Sequence, residues 1–220
     1  SYIHNNLEVI RLLINAGAGV NITNYEGDTA LIIASKRGNL ELLGLLINAG
    51  QDPNVNIQNH RGDTALIIAS KMGNLEMVKL LINEGAGVNI TNYEGDTALI
   101  IASKRNNIEL LELLITAGAN VNIQNYEGDT ALISASNRNN LQMVKLLINE
   151  GAGINIQDYE GDTPIIIASK RNNIEMVKLL INEGADINLQ NNNDGFTALT
   201  YASKMGNLEI VDLLIQNGAI

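Results

Sequence analysis

Apolar residues recur along this chain in two alternating kinds of block. A short, continuous run such as Ala30 to Ala34 is followed, after a few polar residues, by a spaced block in which Leu40, Leu42, Leu43, Leu45, Leu46 and Ile47 are apolar. Between successive pairs of blocks lies a polar connector with Gly and Asn, such as Val88 to Gly95. The spaced block covers most of a helix circumference, which predicts a helix buried between neighbours rather than one lying on a surface. The short run follows Thr29, whose hydroxyl can cap a helix, and ends near Lys36 and Arg37. Gly38 stops it. The equivalent positions are Gly73, Asn106, Asn139, Asn172 and Gly206, the two residue types that tolerate a left-handed C-cap. Another Gly, Gly50, closes the second helix, and the connector reads as a turn or short hairpin. Each unit is therefore helix, turn, helix, extended loop.

The unit repeats. The string Gly-Asp-Thr-Ala-Leu-Ile or a close relative places Thr at 29, 64, 97, 130, 163 and 197, with gaps of 35, 33, 33, 33 and 34 residues. The period is thus 33, and the two insertions, around Gln51 to Asn54 and in Asn191 to Asn193, fall in polar connectors. The expected division is a single domain over 1–220, made of a partial unit at 1–23 and units at 24–58, 59–91, 92–124, 125–157, 158–191 and 192–220. Aligning Leu7 with Leu40 makes the chain open near the end of a first helix and then supply a full second helix. At the other end Leu208, Ile210, Val211, Leu213, Leu214 and Ile215 keep the internal apolar pattern, whereas a terminal repeat needs a polar outer face. The expectation is a fragment of a longer array, or a last helix pair covered by another surface.

Composition narrows the function. With 24 acidic and 14 basic side chains the formal charge is −10, which argues against nucleic acid and anionic membrane as partners. There is no Cys, so no disulfide, thiolate metal site or thiol nucleophile, and two His, His4 and His60, do not make a multi-His cage. The apolar runs are too short to span a bilayer, and Ser1 to Ile10 lack the regions of a secretory signal.

The residues resemble the ankyrin repeat. One unit reads Asn92, Tyr93, Glu94, Gly95, Asp96, Thr97, Ala98, Leu99, Ile100, Ile101, Ala102, Ser103, then Asn107, Ile108, Glu109, Leu110, Leu111, then Leu113, Leu114, Ile115, and finally Gly118, Ala119, Asn120, Val121, Asn122. The match recurs six times over essentially the whole chain. The resemblance implies an all-α solenoid of 33-residue helix-turn-helix units with a hairpin loop. It departs from the family at two places. The Pro that favours the first helical position survives only as Pro164. The family His that ties each unit to the neighbouring loop is replaced by Ile32, Ile67, Ile100, Ile133, Ile166 and Thr200, so that polar tie is expected to give way to apolar packing. Asn supplies 33 residues and Ile 30, a bias that fits an AT-rich coding sequence and would suit an intracellular bacterium, a protist or a large DNA virus. The expected location is the cytoplasm, or a host cytosol for an exported effector.

Catalysis is not expected. Asp28, Asp63, Asp96, Asp129 and Asp162 stand near Glu26, Glu94, Glu127 and Glu160, but a catalytic pair occurs once in a fold, and these recur in every unit. Each Asp precedes a helix N-terminus, and the basic pairs Lys36-Arg37, Lys104-Arg105 and Lys170-Arg171 end a helix, so the helix dipole accounts for both. No calcium loop or phosphate loop is present, and no cofactor is expected. Glu76 with Lys79 and Glu175 with Lys178 read as surface pairs.

What remains is recognition of a protein or extended peptide. By resemblance, the hairpin tips and the exposed face of the first helix form the ligand-facing surface, on which equivalent positions make ladders. The tip ladder is Tyr25, His60, Tyr93, Tyr126, Tyr159, with Glu26, Arg61, Glu94, Glu127, Glu160 beside it. At the helix ends run Arg37, Met72, Arg105, Arg138, Arg171, Met205. Tyr and Arg are enriched at binding hot spots; alternatively the Tyr rings only pack on the next hairpin. Specificity is expected from the residues that break the ladders: His60, Arg61, Met72, Phe196 and Met205. Ten acids and ten bases on this face cancel, leaving the −10 to the second helices and connectors. The alternative role is a structural spacer whose uncapped ends associate end to end.

Overall fold

The computed structural model describes residues 2–48 and 53–220, with side chains from Leu7 onward. Among the described residues there are 13 helices and no strand. The first helices of the units are α2 (Ala30–Lys36), α4 (Ala65–Met72), α6 (Ala98–Lys104), α8 (Ala131–Asn137), α10 (Pro164–Lys170) and α12 (Ala198–Lys204). The second helices are α3 (Leu40–Ile47), α5 (Leu75–Asn83), α7 (Ile108–Thr116), α9 (Leu141–Asn149), α11 (Ile174–Asn182) and α13 (Leu208–Gln216). They are preceded by α1 (Tyr2–Asn15). The connector is a turn closed by backbone bonds, as from Asn92 N to Asp96 O at 3.1 Å and Gly95 N to Asn92 O at 2.9 Å, without strand ladders.

The local signals act as the residue types dictate. Each first-helix Thr accepts a bond from the backbone N–H three residues on, from Ile32 to Thr29 at 3.3 Å and from Ile100 to Thr97 at 3.2 Å. At the break between helices Gly38, Gly73 and Gly206 have positive φ, and so do Asn106, Asn139 and Asn172 at 55° to 59°. Asn also starts the second helices: Asn39, Asn74, Asn107, Asn140 and Asn173 each accept the N–H three residues on. These second-helix caps add to the Thr caps expected at the first helices. The motif Gly/Asn-Asn-Leu/Ile carries them, because an Asn directly before an apolar helical run is an N-cap signature.

The opening helix differs from expectation. Alignment predicts the end of a first helix and a break near Asn5 and Asn6, but α1 runs unbroken from Tyr2 to Asn15. Elsewhere the break is closed on carbonyls of a preceding first helix, as by Asn39 N on Ala34 O at 3.0 Å. The insertion at Gln51 to Asn54 and the closing Gly50 lie largely outside the described residues.

The core is the stack of apolar helix faces. Ile32, Ile67, Ile100, Ile133 and Ile166 are buried, as expected for apolar residues replacing a polar tie. Yet polar ties between units persist in another form. Asn59, Asn92 and Asn125, all buried, donate Nδ2 to the carboxylates of Asp28, Asp63 and Asp96 in the preceding unit at 2.8, 3.2 and 2.8 Å. The Oδ1 of each accepts two N–H groups of its own tip. Behind, Asn56, Asn89 and Asn122 each bond two backbone groups of the following unit. First helices pack on one another more closely than second helices do, so the stack closes toward the first-helix side, where the tips lie.

Because Asn92 satisfies two tip N–H groups and one carboxylate of the neighbouring unit, Asn92→Ala is expected to cost about 2–4 kcal/mol. Asn83→Ala, at an exposed helix end, is expected to stay within about 0.5 kcal/mol. Urea unfolding followed by circular dichroism compares the two; equal effects would refute the role given to Asn92.

Candidate recognition face

The tips and the ends of the first helices carry the predicted site residues on one side of the stack. Tyr93, Tyr126 and Tyr159 are 66–68 % exposed and Tyr25 is 88 % exposed. His60, Arg61, Arg37, Arg105, Arg138 and Arg171 are exposed, as are Met72 and Met205. Phe196 is the exception. It is half-buried, in a T-shaped pair with Tyr201 at 5.3 Å between ring centroids and with Lys204 Nζ over its ring at 5.1 Å.

The tip ladder is anchored by its backbone. His60 N bonds to Glu26 O, Tyr93 N to Arg61 O, Tyr126 N to Glu94 O and Tyr159 N to Glu127 O, each at 3.0 Å. The ring of Tyr93 lies against Gly62, where an added Cβ would meet ring carbon Cδ1 at 2.7 Å, and the positive φ of 73° there also favours Gly. Part of the Tyr93 ring's footing is thus the preceding tip, while most of its surface stays open.

Charge on this face is sorted. Sequence reading assigned the Asp before each first helix and the Lys at its end to the helix dipole separately; in the structure they pair across the helix. Lys71 binds Asp63 at 2.8 Å and Lys104 binds Asp96 at 2.9 Å, and Lys36 and Lys170 hold Asp28 and Asp162 likewise. Burial disfavours the Asp28 carboxylate, but the bonds from Lys36 and Asn59 and the Lys36 charge outweigh it and keep its pKa below the ordinary value. Burial likewise works against the Lys36 ammonium, and Asp28 and Glu26 overcome it, so its pKa is raised. The eight-residue separation was the available signal, since a seven-residue helix brings its end within a Lys side chain's reach of its start. The Arg row is left over: no ion pair is formed by Arg37, Arg61, Arg105, Arg138 or Arg171 among the described residues. Glu76–Lys79 and Glu175–Lys178 are exposed pairs, as read from sequence.

The fourth unit breaks the pattern. Asn137 replaces the Lys, and Asp158 of the next unit replaces the Asn that elsewhere donates to the Asp. Asp129 therefore loses both partners. Burial is the main cause that raises its pKa, to about 6; the charge of Lys104 opposes this, while Asp158, Glu127 and Asp96 add to it. The pKa of Asp158 is also raised, again mainly by burial, although the backbone N–H of Asp162 stabilises its charge. Ser134, in the same unit, stands where Ile33, Ile68, Ile101 and Ile167 stand elsewhere, and its buried hydroxyl has no partner. In the following junction Asn191 turns from Asp162 to the Tyr201 hydroxyl at 2.7 Å, and Lys170 sits over the Tyr201 ring at 4.2 Å.

Family comparison agrees with this architecture. A model of ankyrin repeats in three copies matches residues 53–125, 75–158, 103–191 and 132–220, and one of ankyrin repeats in many copies matches residues 2–47. The chain belongs to the ankyrin-repeat family. Ankyrin repeats generally serve as protein-interaction modules and are typically non-catalytic. No curated protein matches this ankyrin-repeat chain. Among its described residues no helix is long and apolar enough to cross a membrane, and no group of three or more His, Cys, Asp or Glu side chains is placed to hold a metal.

The raised pKa of Asp129 fixes a pH response. A carboxyl that binds its proton more tightly when folded stabilises the fold below its ordinary pKa of 3.8, and this is lost as pH rises through about 6. Asp28, held below its ordinary value, acts only in the more acidic range. The melting temperature is therefore expected to rise as pH falls from 7.5 to 5, and Asp129→Asn is expected to raise it at pH 7.5 and flatten the profile. Thermal melts across that range check this; a wild-type profile without the rise would contradict it.

Proposed function

We propose that this ankyrin-repeat domain is a non-catalytic recognition module that binds a protein or extended peptide along its row of tips and first-helix ends. The observation that carries the reading is the presentation of the tyrosines. Cross-unit backbone bonds hold each tip in place while Tyr93, Tyr126 and Tyr159 keep about two-thirds of their surface open. Rigid aromatic side chains presented at low entropic cost are suited to anchoring a partner, because little freedom remains to be lost on binding. The unpaired Arg row beside them adds directed charge. Asp28, Asp63, Asp96 and Asp162 each pair with a Lys, which gives these recurring acids a structural role and supports a non-catalytic reading.

A second reading rests on the ends of the stack. Val9, Leu12 and Leu13 on α1 and Leu208 and Ile215 on α13 are exposed, with Leu208 at 74 %, while the residues equivalent to Leu208 in inner units are partly covered. These faces can stack on further repeats or on another copy, which would make the domain a spacer.

A photo-crosslinking side chain placed at position 126 tests the main reading, with one at Glu112 on the second-helix side as reference. Capture of a partner from native-cell extract is expected from position 126 and not from 112, and is expected to be lost with Tyr93→Ala plus Tyr159→Ala. Equal capture from both positions, or indifference to the tyrosines, would overturn it. Light scattering that shows concentration-dependent growth would favour the spacer.

A further inference from the structure

The front of the third to fifth units offers a linear pattern of unsatisfied charge. Arg105, Arg138 and Arg171 cap three successive first helices with nearly the same backbone conformation, φ −90°, −85° and −91° with ψ −3°, −2° and 2°, so each side chain leaves its helix from an equivalent point. Arg105 and Arg138 form no ion pair among the described residues, and Arg171 makes only a 3.4 Å bond to Asn137 Oδ1. The neighbouring Lys104 and Lys170 are matched by buried carboxylates and contribute little net field. Met72 and Met205 stand at the row positions on either side, so the run of guanidinium groups is three long. Met72, Arg105 and Arg138 line a shared depression of about 600 Å³, with Lys71, Asp96 and Lys104.

Geometry selects the conformation of what fits. Neighbouring packed helices are ~8–10 Å apart. A polyproline II helix has three residues per turn and rises ~3.1 Å per residue, so one side chain in three returns to the same edge every ~9 Å. A β-strand returns a side chain to one face every ~6.7 Å and an α-helix turns every ~5.4 Å, so both drift out of step with the units. Chemistry selects the side chains. Carboxylates answer the Arg row. The tips oppose them with Glu94, Glu127 and Glu160 but present Tyr93, Tyr126 and Tyr159, against which proline rings can stack as polyproline ligands do in other aromatic-lined grooves.

Resting on the recognition reading above, we propose that this face binds an acidic polyproline II peptide with a carboxylate at every third residue, its acids on the Arg row and its prolines toward the tyrosines. The three-Arg run fixes where along the array such a peptide binds, a choice the near-identical tips alone would leave open.

Fluorescence anisotropy with the full chain tests this, using labelled 15-residue peptides: Glu-Pro-Pro repeated five times, the same composition with all glutamates clustered at one end, and Lys-Pro-Pro repeated five times. The periodic acidic peptide is expected to bind at least tenfold more tightly than the clustered one, to weaken with added salt, and to leave the lysine peptide unbound. Arg138→Gln is expected to weaken it at least fivefold and Arg11→Gln, on α1, not at all; circular dichroism verifies that both variants are folded. Equal affinity for the clustered peptide, indifference to Arg138→Gln, or no saturable binding would overturn the proposal. If position 126 still crosslinks a partner through the tyrosines in that case, only the ligand class falls and the recognition reading stands.

Discussion

A carboxylate buried between two repeats must be given partners, and the partners chosen for it here set how the repeats stack. Apolar burial supplies most of the drive to stack, but it is indifferent to register: the faces of α4, α6 and α10 are almost the same sequence, and Ile and Leu accept many neighbours. The Asp that precedes each first helix is not indifferent. In the first three units, at Asp28, Asp63 and Asp96, it takes a Lys from its own unit and an Asn from the next, and that Asn also closes its own tip. Misplacing one unit on another would strand a charge in the core. The exposed ladders of Tyr and Arg inherit their regular spacing from this buried one.

The sequence makes the fold legible because each unit contains its own punctuation: Thr for a start, Gly or Asn for a stop, and apolar spacing for a buried helix. Repetition then confirms every assignment several times. What stayed hidden depends on contacts across units or across a helix. The Asp–Lys pairing joins residues eight apart that a dipole argument explains one at a time. The buried Asn of each tip looks like any turn-forming Asn until the neighbouring carboxylate is placed beside it. The opening helix departs from the aligned pattern, running unbroken through Asn5 and Asn6 where the later units break.

The site was legible to a lesser degree. The ladder positions could be found by counting, and their exposure follows from the family's geometry. The sequence alone left the Tyr rings open to a packing role, and the anchored backbone with an open ring is the observation on which the proposed recognition role rests. The apparent neutrality of the face also changes meaning. The bases that cancel acids there are chiefly the Lys residues, leaving the Arg residues to act outward. Phe196 looked like a ladder breaker of the same kind as Met205, but its ring is engaged by Tyr201 and Lys204. The high Asn content also acquires a physical account, since amide side chains serve as left-handed stops, helix caps, tip closures and rear ties between units.

The junction between the fourth and fifth units has a mechanical meaning. Repeats joined end to end carry a pulling force in series, so every junction bears the same load and the least-tied one yields first. Here Asp129 meets Asp158 in place of a donating Asn, and the Tyr159 N–H to Glu127 bond is left to hold the tips together. The buried Asn–Asp tie of the first three seams is missing here, so the load passes to the tip backbone and to exposed side-chain bonds such as Arg171 to Asn137, Asn173 to Asn139 and Asp186 N to Asn155.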